Sequence, residues 1–135
     1  MEGLSKEELD ELALLEKEDK DRRAEEAKSA KRQHLDALRM SKRLSAKHGT
    51  PGLDFVVLET RVGNIAVRRP IDVEIDAIDE SSDRAALETF AAMVVLEPAG
   101  PSFAKLMADH HGVVGAVVSQ ATKLLRALRE EEGKK

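Results

Sequence analysis

The sequence predicts a mainly α fold, α+β in detail because of one small β-hairpin, with a long charged N-terminal helix followed by a compact body. Three observations predict it. No Gly or Pro interrupts the chain between Leu4 and His48, where Ala, Leu, Glu, Lys, Arg and Gln dominate. Two short runs rich in β-branched residues, Asp54–Thr60 and Ile65–Arg68, flank a Gly-Asn pair. Beyond Pro70 the apolar residues recur at helical spacing.

The helix has a defined start. Ser5 and Glu8 form the Ser-x-x-Glu pattern of a capping box, each able to satisfy the other's backbone N–H. Carried to about Ala46 at about 1.5 Å per residue, the helix would be on the order of 60 Å long. Its apolar side chains sit at its two ends, Leu9, Leu12 and Leu15 and then Leu35, Leu38, Met40 and Leu44. Ala24, Ala27 and Ala30 are the only apolar residues between Glu16 and His34, so the middle is expected to be solvated or lightly packed. Charge is polarised as well. Residues 1 to 27 carry a net charge of −6 and residues 28 to 48 a net charge of +6. Two copies would attract one another antiparallel or end to end, and self-association is expected.

His48-Gly49-Thr50-Pro51-Gly52 ends the helix, with glycine at a C-cap and proline close behind. The two strands follow, joined through Val62-Gly63-Asn64. Ile71, Ile75 and Ile78 then share one face of a helix whose acids, Asp72, Glu74, Asp76 and Asp79, point largely elsewhere. Ser81-Ser82-Asp83 forms a turn and cap before a helix carrying Ala86, Leu87, Phe90, Ala91, Val94 and Val95 and ending before Pro98. Pro101 opens a short helix with Phe103, Leu106 and Met107. Beyond Gly112, residues Val113 to Leu128 make an aliphatic final helix. The expected organisation is thus an extended arm over 1–48, a compact body over 53–129, and a charged tail over 130–135 that frays. A body this small gains only about 3 to 5 kcal/mol from its core, which favours oligomers or partners.

Composition narrows the function. With no Cys, the chain has no disulfide, thiolate metal site or cysteine nucleophile. Only Phe55, Phe90 and Phe103 are aromatic, leaving few stacking platforms for single strands of nucleic acid. No apolar run approaches a membrane span, and an acidic N-terminus is unlike a signal peptide, so a cytoplasmic protein is expected. None of the common nucleotide-binding, hydrolase or zinc-protease motifs occurs, so no catalytic residue and no cofactor is expected. Asp109-His110-His111 resembles metal chemistry, but adjacent helical residues diverge by about 100°, and a polar helix end accounts for them. The acids at 72 to 79 could hold a divalent cation, yet a solvated helix face near a helix N-terminus explains them at lower cost. The basic residues from Lys28 to Lys47 could meet phosphates. The acidic half beside them and a net charge of −4 oppose this, so nucleic acid is not the expected partner.

Arg68-Arg69-Pro70 holds the remaining signal. Neighbouring strand residues face opposite sides, so one arginine is expected inward, where it could pair with an acid of the next helix, and the other outward on a protein-binding surface. Val113, Val117 and Leu124 are the further candidates for partner contact, as an aliphatic ridge on the last helix.

From Phe55 to about Leu128 the order of segments resembles the tail assembly chaperones of long-tailed bacteriophages and prophages. A strand pair ends in Val67-Arg68-Arg69-Pro70, then a helix leads to LETFAAMVVLEP (Leu87 to Pro98), PSFAKLMADHHG (Pro101 to Gly112) and a final aliphatic helix. The chain departs from the family at Leu96-Glu97-Pro98, where an aromatic often precedes the proline, and in its long charged helix. The resemblance implies a non-catalytic protein that coats the tape measure protein and hands it to the tail tube protein. A generic bacterial adaptor or oligomerisation module would share the composition.

Overall fold

The computed structural model describes residues 3–79 and 82–133. It divides into two compact units, Met1–Leu35 and Asp36–Lys135. The fold is mainly α, with five helices and a three-stranded antiparallel sheet among the described residues.

The first unit holds most of helix α1 (Lys6–His48). Both halves of the capping box form: the Ser5 hydroxyl accepts the Glu8 N–H at 3.1 Å and Glu8 Oε1 accepts the Ser5 N–H at 3.2 Å. None of residues 3–35 is buried. Propensity, the cap and pairs such as Arg23 Nε with Asp19 Oδ2 at 3.0 Å hold this stretch, each such pair adding about 0.2 to 0.5 kcal/mol.

The second unit begins inside the helix rather than after residue 48. Ala37 and Leu44 are buried and Met40 is half-buried. Leu44 packs with Phe55 and Ala66, which buries one side of this end of α1 and makes it part of the body.

Strands β1 (Phe55–Thr60), β2 (Gly63–Arg68) and β3 (Val95–Glu97) form the sheet in the order β1-β2-β3. Thr60 pairs with Gly63, so the hairpin turns on Arg61 and Val62, earlier than the expected Val62–Asn64. The Thr60 hydroxyl fixes this by donating to the Gly63 carbonyl at 2.7 Å and accepting the Val62 N–H at 3.2 Å. Strand β3 lies where sequence periodicity places Val95 in a helix. Helix α3 (Arg84–Val94) instead passes directly into extended backbone, and Val95 pairs with Val67. An open edge on β2 outweighs one more helical turn.

Helix α2 (Asp72–Asp76) is only five residues, and Ile71 precedes it, 60% exposed, so the expected isoleucine face reduces to Ile75 and Ile78. Ser81, expected in the turn, lies outside the described residues. Asp83 caps α3 by accepting the Ala86 N–H at 2.9 Å. Helix α4 (Pro101–Asp109) starts on its proline, and α5 (Gly112–Glu132) continues past the point where the tail was expected to fray.

Alternation along β2 builds the core. Ile65 and Val67 face Phe90, Val94, Phe103, Val114 and Val117, while Ala66 between them faces Leu44 and Phe55. The strand is therefore covered on both sides, which suits its unbroken apolar run. Among the described residues no helix is long and apolar enough to cross a membrane.

Candidate functional site

The corner after β2 is organised by its two arginines. The Arg68 guanidinium lies fork-to-fork on the Glu74 carboxylate, Nη1 to Oε1 at 2.8 Å and Nη2 to Oε2 at 2.6 Å. Its Nη2 also donates to the Met93 carbonyl at 3.0 Å. Glu74 accepts the Ile71 N–H as well, at 2.9 Å, which closes the first turn of α2. One side chain thus ties the end of β2 to α2 and to the end of α3. The Arg68 hydrogen bonds, opposed by burial and helped by the Ile71 N–H, hold the Glu74 carboxyl down at about 2.

Arg69 is engaged separately. Its Nη1 donates to Asp54 Oδ1 at 2.9 Å and to the Leu53 carbonyl at 3.2 Å. The other oxygen of Asp54 accepts the Thr50 N–H at 2.7 Å, and this bond, with Arg69 second, lowers the Asp54 carboxyl below its ordinary value. Gly49 completes the arrangement. Its φ is +107°, and a Cβ there would run into the Asp54 carboxylate.

The expected division into one inward and one outward arginine therefore gives way to two paired arginines. Strand alternation ends at Arg68, so it no longer governs Arg69, which turns back to the residue preceding β1. The expected pairing of an arginine with an acid of the next helix is the Arg68–Glu74 contact. Glu74 departs from its neighbours, since Asp72 and Asp76 are exposed and it is not.

The aliphatic ridge of α5 is used by the core. Val113, Val117 and Leu124 are 7%, 0% and 2% exposed, because α5 lays this face on the other helices and on β2.

Around that corner sit apolar side chains that sequence reasoning did not single out as a surface: Ile71 at 60% exposure, Val73 at 72% and Met93 at 45%. The backbone groups of Ile71 and Met93 are both bound into the Arg68–Glu74 clasp, and Val73 lies between Ile71 and Glu74 in sequence. The one available signal was Val73, an apolar residue between two acids, off the isoleucine spacing.

Some of the other candidates have contacts within the fold. His110 caps α4 by donating its N–H to the Leu106 carbonyl at 2.8 Å, and the His111 carbonyl accepts from Arg84 Nη2 at 3.0 Å. In the basic stretch, Arg43 binds Glu97 and Arg39 lies 3.7 Å from Asp36. Compared with known proteins, the chain matches no family model, no curated protein and no solved structure.

Proposed function

We propose that this chain is a non-catalytic assembly chaperone of a long-tailed phage or prophage, acting in the host cytoplasm. It binds the tape measure protein and passes it to the tail tube protein. The observation that carries the reading is the exposure of Ile71, Val73 and Met93 at a corner held by the Arg68–Glu74 clasp. Apolar side chains presented from a hydrogen-bonded corner suit the apolar face of a helical polypeptide. The arginines of the V-R-R-P motif then serve as positioning residues, and the neighbouring side chains make the contact.

Co-expression with a fragment of a tape measure protein tests this. The wild-type chain should keep the fragment soluble, and Val73→Asp with Met93→Asp should abolish that effect while leaving the melting temperature of the chaperone unchanged. A fragment that precipitates beside the wild-type chain, or is rescued equally by the double variant, overturns the proposal.

A further inference from the structure

We propose that helix α1 pairs antiparallel with the α1 of a second copy, over residues 12–35, about a two-fold axis passing between Arg23 and Ala24. The inference is independent of the assembly role and lies wholly within the first unit. Leu12 and Leu35 are 42% and 45% exposed, and no residue between them is buried. At about 100° per residue, Leu12, Glu16, Lys20, Ala27, Lys31 and Leu35 fall on one face of the helix.

That face is complementary to itself in one direction only. In an antiparallel pair, residues equally distant from the axis stand level. Glu16 then meets Lys31, and Lys20 lies over the small Ala27. Leu12 stands level with Leu35 at the edges of the face. Among the described residues neither Glu16 nor Lys31 is ion-paired. A parallel pair in register would set Glu16 against Glu16 and Lys31 against Lys31, where like charges repel. Ala24 and Ala27 leave room on one side of the axis, and Arg23, on the other side, is held by Asp19 of its own helix at 3.0 Å. The helix thus selects a second copy of itself and fixes the orientation by charge.

The chain has no Cys, so an introduced cysteine reports alone. Ala24→Cys stands beside the axis, and Ser29→Cys stands on the opposite side of the helix. Under mild oxidation of the full chain, Ala24→Cys should give a disulfide-linked dimer and Ser29→Cys should not. In light scattering at low salt, Glu16→Lys and Lys31→Glu should each weaken association by about tenfold or more, and the two together should restore it, since the pair is then only reversed. All these positions are exposed, so the helical signal should be unchanged in every variant. A monomer at about 100 μM in low salt, equal cross-linking from position 29, or failure of the reversed pair to recover overturns the proposal.

Discussion

Arg43 of α1 and Glu97 of β3 meet in a two-point ion pair, Nη1 to Oε1 and Nη2 to Oε2, both at 2.7 Å, across 54 residues of sequence. This contact and the burial of Leu44 join the last turns of α1 to the sheet. The Arg43 hydrogen bonds also draw the Glu97 carboxyl below its ordinary value.

The Arg68–Glu74 clasp should be a stability element. The Glu74 side chain is only 11% exposed, so Arg68→Ala leaves a largely buried carboxylate without its cation. Urea denaturation should show a loss of about 1 to 3 kcal/mol. Arg68→Lys should fall between the two, because a lysine cannot reproduce the fork. A loss under about 0.5 kcal/mol for the alanine variant would show that the corner holds itself without the clasp.

Acid should weaken the fold in a defined window. Glu74 has a folded value of about 2 against an ordinary 4.5, so its contribution is fully present above 4.5 and fades as pH falls towards 2. Asp54 and Glu97 are lowered too and act in the same direction. Thermal melts from neutral pH downward should show the decline, and Glu74→Gln should flatten it. A melting temperature independent of pH across that window would contradict the assignment.

Gly49 and Gly63 both have positive φ, at +107° and +119°, but differ in their surroundings. Gly63→Ala meets only backbone strain. Gly49→Ala also displaces the Asp54 carboxylate from Thr50 and Arg69, and should cost more than about 1 kcal/mol, the larger loss of the two. The order of the two variants in chemical denaturation checks it.

Leu124 belongs to the core, and Leu124→Ala should cost about 2 to 5 kcal/mol. Leu14→Ala, at 56% exposure, should change stability by less than about 0.5 kcal/mol. If Leu124→Ala melted like the wild type and lost only partner binding, the α5 ridge would be a surface after all.

Duplex DNA should bind no more tightly than the non-specific range, about 10⁻⁴ to 10⁻⁶ M at physiological salt. Within the basic stretch Arg43 is taken by Glu97, and Arg39 lies near Asp36. Fluorescence anisotropy is the measurement, and a submicromolar complex would reassign residues 28–48 to phosphate contact.

Features that depend on near neighbours were legible before any fold was known. The start of α1 at Ser5 and Glu8, its end at Gly49, and the proline that opens α4 all rest on groups within about four residues of one another, whereas the hairpin was legible as two β-branched runs but not in the place of its turn. Their chemistry could be read without a fold. Features that depend on distant segments emerged only with packing. Val95 joined β2 through Val67, which the periodicity of α3 could not foresee. Leu44 and Arg43 were drawn into the body by Phe55 and Glu97. Parity along a strand places Arg68 and Arg69 on opposite sides without saying which faces inward, and the acids that receive them lie on different segments, Glu74 on α2 and Asp54 ahead of β1. The ridge of Val113, Val117 and Leu124 looks the same in sequence whether it faces a core or a partner. Only packing against β2 and the other helices selects between them, because apolar burial is non-directional and takes whichever surface closes over it.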